Sequence, residues 1–350
     1  MSPIPPLSSL NYPRSFPAGP FLSLTLSMDS GAQRVSAELL PYVRVYEDGR
    51  VERLKGSEFV PASLNDTQTG VSSKDVLISS ESAVSARLFL PKLTCNRQKL
   101  PVLVYFHGGA FCIESAFSFL FHRYLNILVN EANVVAVSVE YRRAPEHLLP
   151  AAYEDCWAAL EWVSSHSVGR GANYEPWLTD YADFDRIFLG GDSAGGNIVH
   201  NVAMRAGSQS LPHNIRVRGA FLVHPYFWGS EPIGSESMED HTPNSLANRV
   251  WLFVCPSSAA GVDDPMINPM SPGAPRLSKL GCSRLLVCVA GKDILCYRGR
   301  LYHSAVGNSG WEGEVELFEV EGEGHVYHIF DPYTENAGLM IKRLASFLNS

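Results

Sequence analysis

Ser193 stands in the run Gly190-Gly191-Asp192-Ser193-Ala194-Gly195-Gly196-Asn197, in which residues 191–195 read G-x-S-x-G. A serine hydroxyl attacks an acyl carbon when a tight turn exposes it and a base can take its proton. Flanking glycines let neighbouring backbone pass close to such a turn. An apolar strand pattern, Arg186-Ile187-Phe188-Leu189-Gly190, precedes the run, and a helical pattern over 195–206 follows it. A strand-to-helix turn also aims helix N-terminal amides at developing negative charge. G-x-S-x-G alone is common by chance; the strand, the helix and the additional Gly196 give it weight here.

A second run, His107-Gly108-Gly109-Ala110, follows the apolar strand pattern Val102–Phe106. An acyl-transfer intermediate carries negative charge on oxygen, which preorganised backbone N–H groups can hold. The spacing predicts an oxyanion hole made by the amides of Gly108, Gly109 and Ala194, with His107 bracing the loop rather than reacting. Choosing the base among eleven histidines takes an argument from order. Sheets with such a serine turn supply serine, then acid, then histidine, the last two after late strands. His325, in Gly322-Glu323-Gly324-His325, follows the last strand pattern, while His328 falls on a helical start and His303 inside a helical stretch. Asp293 follows the strand Leu285–Val289 and is the expected acid. Asp192 points the wrong way from the turn, and Asp331 comes after the histidine.

These groups need a frame. Tyr42–Tyr46 and Val51–Leu54 flank Asp48-Gly49 and predict a β-hairpin. Val76–Ser79 and Ser85–Leu90 predict two further antiparallel strands. Beyond them, strands at 102–106, 134–139, 186–190, 219–223, 285–290 and 315–320 alternate with helices near 117–131, 151–166, 195–206, 301–310 and 336–348. Continuous apolar strands alternating with helices predict an α/β fold, a mostly parallel sheet covered by helices with an antiparallel start. Residues 229–279, rich in Ser, Pro, Gly and Asp, predict an insertion over the C-terminal edge of the sheet, within a single domain spanning 28–350.

Composition sets limits. An apolar share of 45% against 18% charged residues describes a globular chain with a sizeable core. A net charge of −8 speaks against nucleic acid as a partner, and no apolar run is long enough to span a membrane. Seven cysteines without a Cys-x-x-Cys pair predict free thiols in a reducing compartment and no zinc. Residues 1–27, rich in Ser and Pro, predict a disordered extension or targeting segment. The expected compartment is cytoplasmic, or the plastid if that segment is a transit sequence.

Taken together, His107–Phe111, Gly191–Gly196, Asp293–Leu295 and Gly324–Tyr327 resemble the hormone-sensitive-lipase-like branch of the α/β-hydrolases. Tyr141–Glu146 and Pro150–Asp155 are similar to two further segments of that branch. Pro41–Leu54, Pro265–Met270 and Cys282–Val287 resemble the plant carboxylesterases, and the likeness runs from about residue 38 to the C-terminus. It implies an α/β-hydrolase fold with an N-terminal lid segment. It also implies a cofactor-free esterase of small-molecule carboxylic esters, often of specialised metabolites, working through an acyl-serine. Ala110 departs from the branch where it has a third glycine, and Arg143 where it commonly has leucine. Plant relatives of this kind include dehydratases and cyclases, so a lyase using the same pocket is the alternative. A non-catalytic small-molecule receptor ranks lower, because the receptor relative lacks the histidine that His325 supplies.

Overall fold

The computed structural model describes residues 34–79, 83–95, 98–169 and 175–350. The expectations for residues 1–27 lie outside the described residues. The chain opens with β1 (Val35–Leu39), β2 (Val43–Tyr46) and β3 (Val51–Arg53), which pair antiparallel as a small sheet of their own. The hairpin turns at Gly49, whose φ of 83° suits glycine. Strand β1 gives no sequence signal because four of its five residues are exposed.

The main sheet begins with β4 (Ser72–Ser79), β5 (Val84–Leu90) and β6 (Leu100–Phe106). Helix α1 (Phe119–Ala132), β7 (Val135–Glu140), α2 (Ala151–Ser165), α3 (Pro176–Tyr181), β8 (Ala182–Asp192) and α4 (Ala194–Ala206) follow. Then come β9 (Val217–Val223), α5 (Leu246–Val254), β10 (Arg284–Ala290), α6 (Cys296–Gly307), β11 (Glu314–Val320), α7 (Tyr327–Phe330) and α8 (Glu335–Leu348). Eight strands lie in the order β11-β10-β9-β8-β6-β7-β5-β4. All neighbours from β11 to β7 run parallel, and β5 and β4 add antiparallel pairs. Every residue of β6 is buried, as expected of a strand covered on both faces.

Register brings the chemistry to one edge. Phe106 pairs with Gly191, Gly191 with Leu222, and Cys288 with Val223. The ends of β6, β8, β9 and β10 therefore lie side by side, and the loops carrying His107, Ser193, His224 and Asp293 leave from one rim. Residues 229–279 border that rim. Val254 C=O accepts Leu149 N–H at 2.9 Å, and Met266 C=O accepts Asn197 Nδ2 at 2.7 Å, one turn beyond Ser193. The apolar patch Val250–Val254 is part of α5.

Helix α6 starts five residues earlier than the sequence pattern suggests. Gly299, which argues against an early start by propensity, packs directly against Val289 of β10, and a side chain there would clash. The three-stranded sheet reaches toward the same rim. Arg53 donates from Nε to Cys112 C=O at 2.8 Å and forms two parallel hydrogen bonds, at 2.9 and 2.8 Å, to the Glu146 carboxylate. Among the described residues, no helix is long and apolar enough to cross a membrane.

Candidate active site

Ser193 sits between β8 and α4 with φ 53° and ψ −117°, a conformation that L-residues avoid unless the surroundings impose it. The surroundings are tight. A Cβ on Gly191 would lie 2.5 Å from Gly195 C=O, and one on Gly195 would overlap Phe106 C=O, so neither position admits a side chain. Ser193 N–H donates to Val223 C=O and Tyr226 N–H to Ser193 C=O, both at 2.9 Å, which ties the turn to the segment after β9.

His325 Nε2 lies 2.9 Å from Ser193 Oγ, and its Nδ1 lies 2.7 Å from Asp293 Oδ2. The three residues come from the loops after β8, β10 and β11. Asp293 is 6% exposed, and its other oxygen accepts Leu295 N–H at 3.0 Å. With Nδ1–H donated to the carboxylate, Nε2 is free to accept the serine proton. Burial is the largest single influence and pulls the two partners toward neutrality, but their mutual hydrogen bond and charge attraction together outweigh it. Asp293 is held below the usual carboxylate value and His325 above the usual imidazole value.

Asp192 faces away from this row. One of its oxygens accepts both Tyr105 O–H, at 2.6 Å, and Gly108 N–H, at 3.1 Å. Burial pushes its carboxyl up to about 7. This corrects the expectation for Gly108: its amide is spent on Asp192, so it is not a donor free for the pocket. Gly109 and Ala110, next in the loop, are only half-buried. His107 braces the loop as expected. Its ring stacks on Tyr141 at 4.2 Å, Nδ1 lies 2.7 Å from Gly108 C=O, and burial takes its pKa down to about 3. His328 is buried without a hydrogen-bond partner, and the Asp331 carboxylate accepts Tyr333 N–H.

Sequence reasoning missed His224. It follows β9 and is 1% exposed, and its Nδ1 accepts Val326 N–H at 2.8 Å. Its ring centre is 5.8 Å from that of His325. The available signal was its place just past the C-terminal end of a parallel strand, where α/β sheets collect functional groups. Ligand atoms of His224, Asp293 and His325 lie within 4.8 Å of one another, a grouping found in zinc sites. Here Nδ1 of each histidine is already engaged, by Val326 N–H and by Asp293, while Nε2 of His224 has no hydrogen-bond partner among the described residues.

The family model of the alpha/beta hydrolase fold matches residues 103–329. The chain is 54% identical over 318 residues to 2-hydroxyisoflavanone dehydratase of Glycine max, covering 91% of this chain and 99% of that protein. It is 47% identical over 322 residues to probable carboxylesterase 2 of Arabidopsis thaliana, covering 92% and 99%. Among solved structures, the hyperthermophilic esterase of the archaeon Pyrobaculum calidifontis superposes with a TM-score of 0.61 at 26% identity, over 79% of this chain and 84% of that one. The matched span reaches from β6 into α7 and takes in every residue of the hydrogen-bonded row, and the chain belongs to the α/β-hydrolase family, among its plant carboxylesterase-like members.

Proposed function

We propose that the protein is a serine carboxylesterase acting on small-molecule carboxylic esters, with Ser193 as nucleophile, His325 as base and Asp293 as the residue that orients the base. The observation that carries the reading is the unbroken row Asp293–His325–Ser193, with contacts of 2.7 and 2.9 Å. His325 takes the Ser193 proton as Oγ bonds to the ester carbon, and then gives it to the departing alkoxide. A water, activated by the same nitrogen, breaks the acyl-serine and releases the acid. The amides of Gly109, Ala110 and Ala194 take the oxyanion. Gly109 and Ala110 are the half-buried positions of the loop, and Ala194 opens α4, where the helix dipole favours negative charge.

A second reading draws on the dehydratase relative at 54% identity. Elimination of water from a hydroxylated specialised metabolite would use His325 as a base on carbon and need no acyl-serine. Turnover of a chromogenic acetate ester and of a 2-hydroxyisoflavanone, by the native protein and by Ser193→Ala, separates the two. An esterase loses ester turnover in the variant, leaving a residue of roughly 10³–10⁴ over water. Substantial ester turnover by Ser193→Ala would end the esterase reading. Dehydration that survives the substitution would establish the lyase.

A further inference from the structure

His224 has no part in the mechanism above, yet it is built into the site. Its N–H donates to Cys288 C=O at 2.8 Å, which fixes it to β10, the strand that leads to Asp293. Its Nδ1 accepts the N–H of Val326, the residue directly after His325. Val326 has φ 47° and ψ 33°, a left-handed conformation that a β-branched residue seldom takes. Such a conformation persists only where neighbouring contacts impose it. The turn at Val326 links the end of β11 to α7 and carries the base.

We propose that His224 is a positioning residue of the triad: its ring nitrogen receives the Val326 amide and so locks the left-handed turn that holds His325 between Asp293 and Ser193. The proposal rests on the triad reading. Accepting at Nδ1 leaves the ring proton on Nε2 and the ring uncharged. The groups facing it are Asp293, His325, Tyr327 and His328, the last with ring centres 5.7 Å apart and planes perpendicular. Burial, together with the neighbouring His328 and His325, holds its pKa well below the ordinary value. A charged ring here would oppose the imidazolium that His325 becomes as it accepts the serine proton.

Packing alone is the competing role, and two substitutions tell them apart. Leucine fills the space without an acceptor; asparagine is smaller but places an oxygen where Nδ1 stands. Positioning predicts that His224→Leu lowers kcat on a chromogenic acetate by about 10²-fold, the loss expected from a ~1 Å misplacement, with KM unchanged. His224→Asn restores most of the rate. Packing predicts the reverse order. The proton between His325 Nδ1 and Asp293, observed at low field by NMR, moves or disappears in His224→Leu and stays in His224→Asn. That resonance needs no substrate, so it still judges His224 if Ser193→Ala shows the esterase reading to be wrong. His328→Leu, in the same buried cluster, keeps its kcat and measures the loss of a buried ring by itself. Should His224→Leu not fold, His224→Ala against His224→Asn repeats the comparison. Native kcat and an unmoved resonance in the leucine or alanine variant, or asparagine as damaged as either, would overturn the proposal.

Discussion

In the proposed mechanism Ser193 gains its reactivity from the state of His325, and that state is set by Asp293. Asp293→Asn places an N–H donor against Nδ1, favours the wrong tautomer and is expected to cut kcat about 10⁴-fold with little change in KM, as in serine proteases. Asp192→Asn makes a pointed contrast. A single oxygen of Asp192 accepts both Tyr105 O–H and Gly108 N–H, and an amide oxygen can do the same, so this variant should keep most of its kcat. Steady-state kinetics of the two variants on one chromogenic ester checks both, and the opposite ranking would mean that Asp192 is the working acid. The three residues of the hydrogen-bonded row are legible in the sequence because the chemistry proposed for them demands fixed residue types just past strand ends. The donor amides are less so: the pattern His107-Gly108-Gly109-Ala110 offers adjacent amides without saying which one turns back to Asp192. His224 shows in the sequence only by its place just past β9; its contact does not, since its partner Val326 lies 102 residues away and the two meet only once β9 and β11 share a sheet.

Elements place these residues, and the segment 229–279 is joined to α6 by a charged clamp. Arg298 of α6 donates from Nε and an Nη to the two oxygens of Glu236, each at 2.8 Å, with side chains only 3% and 2% exposed. His241 bonds the same carboxylate at 2.8 Å and stacks on Trp228 with ring centres 4.6 Å apart. A buried pair contributes little against apolar replacements, but removing one partner strands a charge. Glu236→Gln is therefore expected to cost about 3–5 kcal/mol, read as a lower urea midpoint, whereas Glu236→Leu combined with Arg298→Met should cost far less. An unchanged midpoint in Glu236→Gln would remove the clamp from the account. The strands of the main sheet are legible because burial on both faces writes them as apolar runs. The clamp is not, because nothing in a Ser- and Pro-rich stretch tells which acid will be buried and which exposed. Helix α6 shows the same gap between local and tertiary rules: Gly299 weakens it by propensity, yet is what lets it lie against β10.

At the scale of the molecule, six of the seven cysteines are buried and Cys95 alone is exposed, all as free thiols. A disulfide reagent should modify one thiol in the native protein and seven after denaturation, with ester turnover unaffected by the first. Rapid native reaction of more than one would show a looser core. Histidine burial reaches further. Burial takes His107, His200 and His328 down to about 3 and His122 to about 4, and lowers His224 well below its ordinary value. The unfolded chain binds protons at these rings below the ordinary 6.5, while the folded chain refuses them. Their stabilisation is thus complete above 6.5 and is lost as pH falls toward the folded values. Asp192, Glu140 and His325, whose pKa values are raised, work in the opposite direction but are fewer. The thermal midpoint should fall as the solution is acidified from neutrality, and a midpoint that rose would reverse this balance. Unfolding at about pH 5.5 then draws protons out of the buffer. Its calorimetric heat should therefore differ between buffers matched in pH but unequal in ionisation enthalpy, and the slope of that dependence gives the net proton uptake, the histidines that the fold keeps uncharged less the groups, such as Asp192, that it keeps protonated.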